Sequence, residues 1–118
     1  MKYMLLIYMT EDAMTNAERE SCYAESAQLA QDLYAKGHYV AANPLHPVAT
    51  ATSVRVRGGE TLVTDGPFAE TREHLGGYFL IDAPNLDEAL NIAGRIPAAK
   101  KGTVEIRPVM EVPNLPEV

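Results

Sequence analysis

The chain has 118 residues, of which 47% are apolar and 22% charged, with one cysteine and a formal net charge of −6. A single domain of this size buries about 65% of the surface its unfolded chain exposes, so it folds without disulfide or metal, and its composition excludes a disordered class. Ten scattered Lys and Arg against sixteen acidic residues speak against a nucleic-acid partner, which requires clustered basic groups.

Apart from Lys2, Met1 to Met9 is an unbroken apolar run closed by Thr10-Glu11-Asp12, the pattern of a central strand. It falls well short of the ~20 apolar residues of a membrane-spanning helix and lacks the form of a signal peptide, which predicts a cytoplasmic protein and no membrane partner. Thr15-Asn16-Ala17-Glu18 reads as a capping box that starts a helix. Tyr23, Ala27, Ala30 and Tyr34, widened by Leu29 and Leu33, form its apolar stripe, and Lys36-Gly37 ends it with a glycine able to turn left-handed. Cys22 lies in this helix with no cysteine to pair with and no basic neighbour to activate it. It reads as a small buried apolar residue in a reducing compartment.

Residues 38–52 hold two histidines and two prolines, with a short strand expected over Tyr39 to Ala42 and extended backbone before each proline. Ser53 to Arg57 alternates with period two, Gly58-Gly59 turns the chain, and Thr61 to Thr64 returns as a hairpin, with Val54 and Val56 on one face and Arg55 and Arg57 on the other. A charged loop follows, then a strand over Gly77 to Ile81. Asn85-Leu86-Asp87-Glu88 caps a second helix with Leu86, Ala89, Leu90, Ala93 and Ile96 as its stripe, stopped by Pro97. Thr103 to Val109 alternates as a last strand, and Pro108 places its end at an edge.

This order predicts an α+β, ferredoxin-like βαββαβ antiparallel sheet with an inserted hairpin and both helices on one face, a domain over residues 1–112 and a loose tail over 113–118. The other sheet face would be apolar and wet. A second copy is the simplest cover, so the sequence predicts a homodimer packed sheet to sheet through residues from Met4 to Met9 and from Tyr78 to Ile81.

The charged loop carries the most specific string. Asp65 to Glu73 reads D-G-P-F-A-E-T-R-E and is followed by L-G-G-Y from Leu75 to Tyr78. This resembles the family of small bacterial proteins named after D-G-P-F-A-E-T-K-E, a branch of the YCII-related proteins, matching eight of nine letters. The likeness extends to M-K-Y-M-L-L-I-Y at the start, L-H-P at Leu45 to Pro47, L-D-E-A-L at Leu86 to Leu90 and V-E-I-R-P-V at Val104 to Val109. It implies a dimeric α+β barrel on a ferredoxin-like fold, with no settled activity across most members. Relatives on this barrel include lyases and isomerases that use no metal or organic cofactor, and genes of the family often accompany alternative sigma factors. Two functions therefore stand side by side: an acid/base enzyme on a small anionic metabolite, and a non-catalytic ligand-binding or regulatory module. Arg72 replaces the family's lysine and cannot serve as an imine-forming amine.

The candidate site residues each carry two readings. Asp65 is either a proton-handling carboxylate at a pocket mouth or an Asx-turn residue bonding its own backbone. His46, braced by Pro47, is either the general base or a surface loop histidine. Glu70, Arg72 and Glu73 are either a paired-carboxylate device with an anion clamp or a surface salt-bridge cluster. Arg55, one strand away, is the second candidate clamp, and Asp65, Arg55 and His46 are expected to converge on one cleft. No histidine or cysteine spacing suits a metal, and no glycine-rich phosphate loop is present.

Overall fold

The computed structural model describes residues 1–117 and has the ferredoxin-like α+β fold. In chain order its elements are β1 (Lys2–Met9), α1 (Asn16–Ala35), β2 (Tyr39–Pro44), β3 (Thr52–Arg57), β4 (Glu60–Asp65), β5 (His74–Asp82), α2 (Leu86–Gly94) and β6 (Thr103–Pro108), with short 3-10 turns at Val48–Thr50 and Pro97–Lys100. The main sheet is antiparallel in the order β2-β5-β1-β6, and β3-β4 is a separate two-stranded sheet inserted between β2 and β5. β1 is central, as its apolar run requires. β6 lies at an edge, where the missing amide of Pro108 costs no ladder bond.

Both helices lie on one face. Alternation along β1 and β5 sends Tyr3, Leu5, Phe79 and Ile81 to that side, where they join Leu29 and Leu33 of α1 and Ala89, Ile92 and Ala93 of α2 in the buried core. The capping box of α1 forms as its sequence dictates: the Glu18 amide donates to Thr15 Oγ1 at 3.1 Å, and the Thr15 amide donates to Glu18 Oε1 at 3.1 Å. At the other end Gly37 takes φ +80°, the Gly37 amide donates to the Tyr34 carbonyl and the His38 amide to the Leu33 carbonyl. Those two bonds are the Schellman closure that a left-handed glycine permits. Asn85 caps α2 by accepting from the Glu88 amide at 3.0 Å.

Four expectations need correction. Leu29 and Leu33, not Tyr23 and Tyr34, are the core side of α1; the two tyrosines remain 46% and 73% exposed. In α2 the helix stops at Gly94, and Ile92 rather than Leu86 or Leu90 fills the core, because the buried stripe runs through Ala89, Ile92, Ala93 and Ile96. β2 continues to Pro44, which sits at the sheet edge. β5 begins at His74, not at Gly77, so the strand takes in a histidine that the sequence leaves with the charged loop. The hairpin forms as expected, with Gly58 and Gly59 at φ +56° and +80° in its turn. Of the predicted tail, residues 113–117 are exposed, and Val118 lies outside the described residues.

Candidate functional site

The space between α1 and the sheet is not filled. One wall comes from α1, where Arg19, Cys22, Tyr23, Ser26, Ala27, Ala30 and Gln31 recur at helical spacing along a single side. The other comes from Ile7, Met9, Tyr39, Ala42, Gly77 and Phe79 of β1, β2 and β5. Ser26, Ala27 and Ala30 on the helix thus share a space with Ala42 and Gly77 on the sheet, and small residues on both walls leave a cavity of about 510 Å³. Protein interiors are otherwise packed to the density of organic crystals, so an opening of this size is a built feature. A cavity wall and a core stripe have the same apolar period, which is why Tyr23, Ala27 and Ala30 read as core.

Chain direction gathers the polar groups at one end. β1 leads to that end and α1 starts from it. β5 runs antiparallel to β1 and begins there, and β2 runs antiparallel to β5 and finishes there. Glu11, Arg19, His46 and His74 all line the cavity and all come from these termini. His46, carried by the proline-braced segment, lines the cavity at its open end and is exposed. His74 arrives by a different device. The β1–β5 register slips between Ile7, opposite Gly77, and Tyr8, opposite Leu75, leaving Gly76 as an extra residue. Uninterrupted alternation from Gly77 would turn His74 to the far face; the bulge shifts the phase by one and sets it opposite Met9, on the cavity side. Its Nδ1 lies 3.5 Å from Thr71 Oγ1.

Glu11 ties the mouth together. Its Oε2 accepts the Val48 amide at 2.8 Å, holding the strand of chain that carries His46, while its backbone carbonyl accepts Arg19 Nη2 at 2.8 Å. Arg19 forms no ion pair among the described residues. Burial pushes the Cys22 thiol up, partly offset by a hydrogen bond from Ser26, so it is a poor nucleophile. It is only half-buried and lines the cavity, not the core centre. Among the described residues no group of three or more His, Cys, Asp or Glu is placed to hold a metal.

Of Asp65, Arg55 and His46, expected to converge on one cleft, only His46 lines the α1–sheet cavity. Asp65 pairs with Thr52 and Arg55 with Leu62 in the hairpin, three rungs apart, and neither lines the α1–sheet cavity. Arg55 instead borders a shallow concavity with Arg57 and Phe68. The Asx-turn alternative for Asp65 also fails, for an elementary reason: the residue two positions on is Pro67, which has no amide to donate. The turn is made by Gly66 at φ +98°, whose amide donates to the Ala51 carbonyl at 2.7 Å, and the Asp65 carboxylate accepts no hydrogen bond among the described residues. Glu70, Arg72 and Glu73 are exposed and form neither a mutual ion pair nor part of the cavity wall. Sequence reasoning missed Glu11 and Arg19, and it kept His74 in view only as a member of the charged loop. Only the position of Arg19, three residues before Cys22 and four before Tyr23 on the apolar side of α1, gave a signal.

The family model for the YCII-related domain matches residues 1–113. An uncharacterized protein of Rhizobium meliloti (strain 1021) is 40% identical over 118 residues, covering 92% of each chain.

Proposed function

The chain belongs to the YCII-related domain family, and we propose that it is a cofactor-independent acid/base enzyme of lyase or isomerase type, acting on a small anionic metabolite in the α1–sheet cavity. The observation that carries this reading is one apolar cavity with two imidazoles, His46 and His74, at its polar end. Imidazole takes and gives protons near neutral pH, and a positioned one contributes about 10²–10⁴-fold to a proton transfer. In this reading His46 removes a proton from the substrate and His74 returns one, while the apolar walls hold the rest of the substrate. Asp65, Arg55, Arg72, Glu70 and Glu73 act, where they act, from outside the cavity, since none of them lines it. The protein works as a homodimer through the open sheet face, away from the helices.

The test is carbon-bound proton exchange. The protein is incubated in D2O with a panel of small organic acids and followed by NMR. The wild type is expected to exchange a C–H proton of at least one acid, and His46→Gln to slow this by about 10²-fold or more. An acid that binds with no exchange in the wild type would make the cavity a non-catalytic binding site, which is the module reading.

A further inference from the structure

Resting on the same cavity, we propose that its ligands are elongated apolar monocarboxylates, with Arg19 as the carboxylate-binding residue at the mouth and Ala27, Ala30 and Ala42 setting the room for the apolar body.

The shape follows from the helix. Lining residues on α1 run from Arg19 to Gln31, twelve residues at ~1.5 Å each, so the cavity follows roughly 18 Å of the helix axis. A molecule filling it is long and not globular. The chemistry of that length is mostly apolar: beyond the mouth the walls include Cys22, Tyr23, Ala27, Ala30 and Phe79, with Ser26 between them and Gln31 far along α1. Burial of methylene groups against such walls is favourable in proportion to area.

The single charge follows from the mouth. Arg19 is the one Lys or Arg among the lining residues. A guanidinium has five N–H donors, and the one hydrogen bond Arg19 donates, to the Glu11 carbonyl, leaves a fork suited to a carboxylate. The competing charge is Glu11, whose carboxylate is engaged by the Val48 amide. Glu11 keeps its negative charge but makes no ion pair with Arg19 among the described residues, so the guanidinium has no carboxylate partner of its own in a chain that is acidic overall. One cation at one end of an apolar cavity selects a ligand with one anionic head.

Isothermal titration of the wild-type protein with straight-chain acids from butanoate to decanoate, beside the matching alcohols and amines, tests this. Affinity for the acids is expected to rise about fourfold per methylene, the equivalent of ~0.8 kcal/mol, until the chain fills the cavity. Acids should bind at least fivefold tighter than alcohols. Arg19→Gln should abolish that preference while keeping the dependence on chain length, and Arg19→Lys, which keeps the charge without the fork, should restore part of it. Ala30→Phe should end the length dependence early and leave the melting temperature no lower than that of the wild type. Amines binding better than acids, affinity independent of length, or an acid preference that survives Arg19→Gln would each overturn the proposal. Binding that behaves as expected with no proton exchange overturns only the enzyme reading, so the two fail separately.

Discussion

At the scale of single residues the firmest energetics are local. Glu18 is held below the ordinary carboxylate range first by the Thr15 amide and then by Lys101, whose Nζ lies 3.2 Å from Oε2. A carboxylate whose folded-state pKa is depressed contributes stability that is present above its unfolded value and disappears as pH falls through the folded one. Urea midpoints should therefore decline from about the ordinary glutamate value of 4.5 downward, and Glu18→Gln should flatten part of that decline. Thr15→Ala, which removes the other half of the box, should cost about 1 kcal/mol at neutral pH. Both residues were legible in the sequence because a capping box is written in four consecutive letters. His74 was not, because the bulge at Gly76 that aims it exists only in the pairing of β5 with β1. Cys22 lies between these cases. Its burial on the cavity wall predicts slow reaction with a disulfide reagent at pH 7, slower still with a cavity ligand present, and a rate equal to that of a free thiol would contradict its placement.

At the scale of the element, α1 carries two apolar sides with different tasks. Leu29 and Leu33 press into the core, while Cys22, Ala27 and Ala30 border empty space. Periodicity reports that a face is apolar and says nothing of how far away the opposing surface stands. That is why the fold could be read from the sequence and the cavity could not. The small size of Ser26, Ala27 and Ala30 was visible, but its meaning depended on Ala42 and Gly77 across the gap, more than ten positions away in the chain. A cavity kept open for a ligand carries a stability cost that substitution can recover. Ala27→Leu should raise unfolding stability by about 0.5–2 kcal/mol while weakening ligand binding. Lower stability with unchanged binding would mean that the wall is already in contact with the sheet.

At the scale of the whole molecule the chain is flat. Its radius of gyration is 16.1 Å and its extents are 47 × 43 × 19 Å, against about 13.5 Å for a compact domain of this length. Two surfaces stand without cover from the described residues. The hairpin β3-β4 pairs with no strand of the main sheet and leaves Val54, Val56 and Val63 61–65% exposed, although an isolated two-stranded hairpin is marginal in water. The sheet face away from the helices presents Met4, Leu6 and Tyr8 of β1 beside Tyr78 and Leu80 of β5, all half-buried and, among the described residues, covered by no further layer. A face this apolar is a contact surface in a stable protein. Its centre is formed by the two inner strands and its rim by Glu105 and Arg107 of β6, which pair opposite Leu6 and Met4. One acid and one base at the rim of an apolar centre can be self-complementary about a two-fold axis, where the glutamate of each copy faces the arginine of the other. Sedimentation equilibrium at micromolar concentration should therefore give twice the chain mass of 12.9 kDa. Leu6→Asp, which places an unpaired charge at the centre of the face, should shift the protein to a folded monomer or lower its stability in a concentration-independent way. A wild-type protein that sediments as a monomer would leave the open face to some other cover and remove the homodimer from the functional reading.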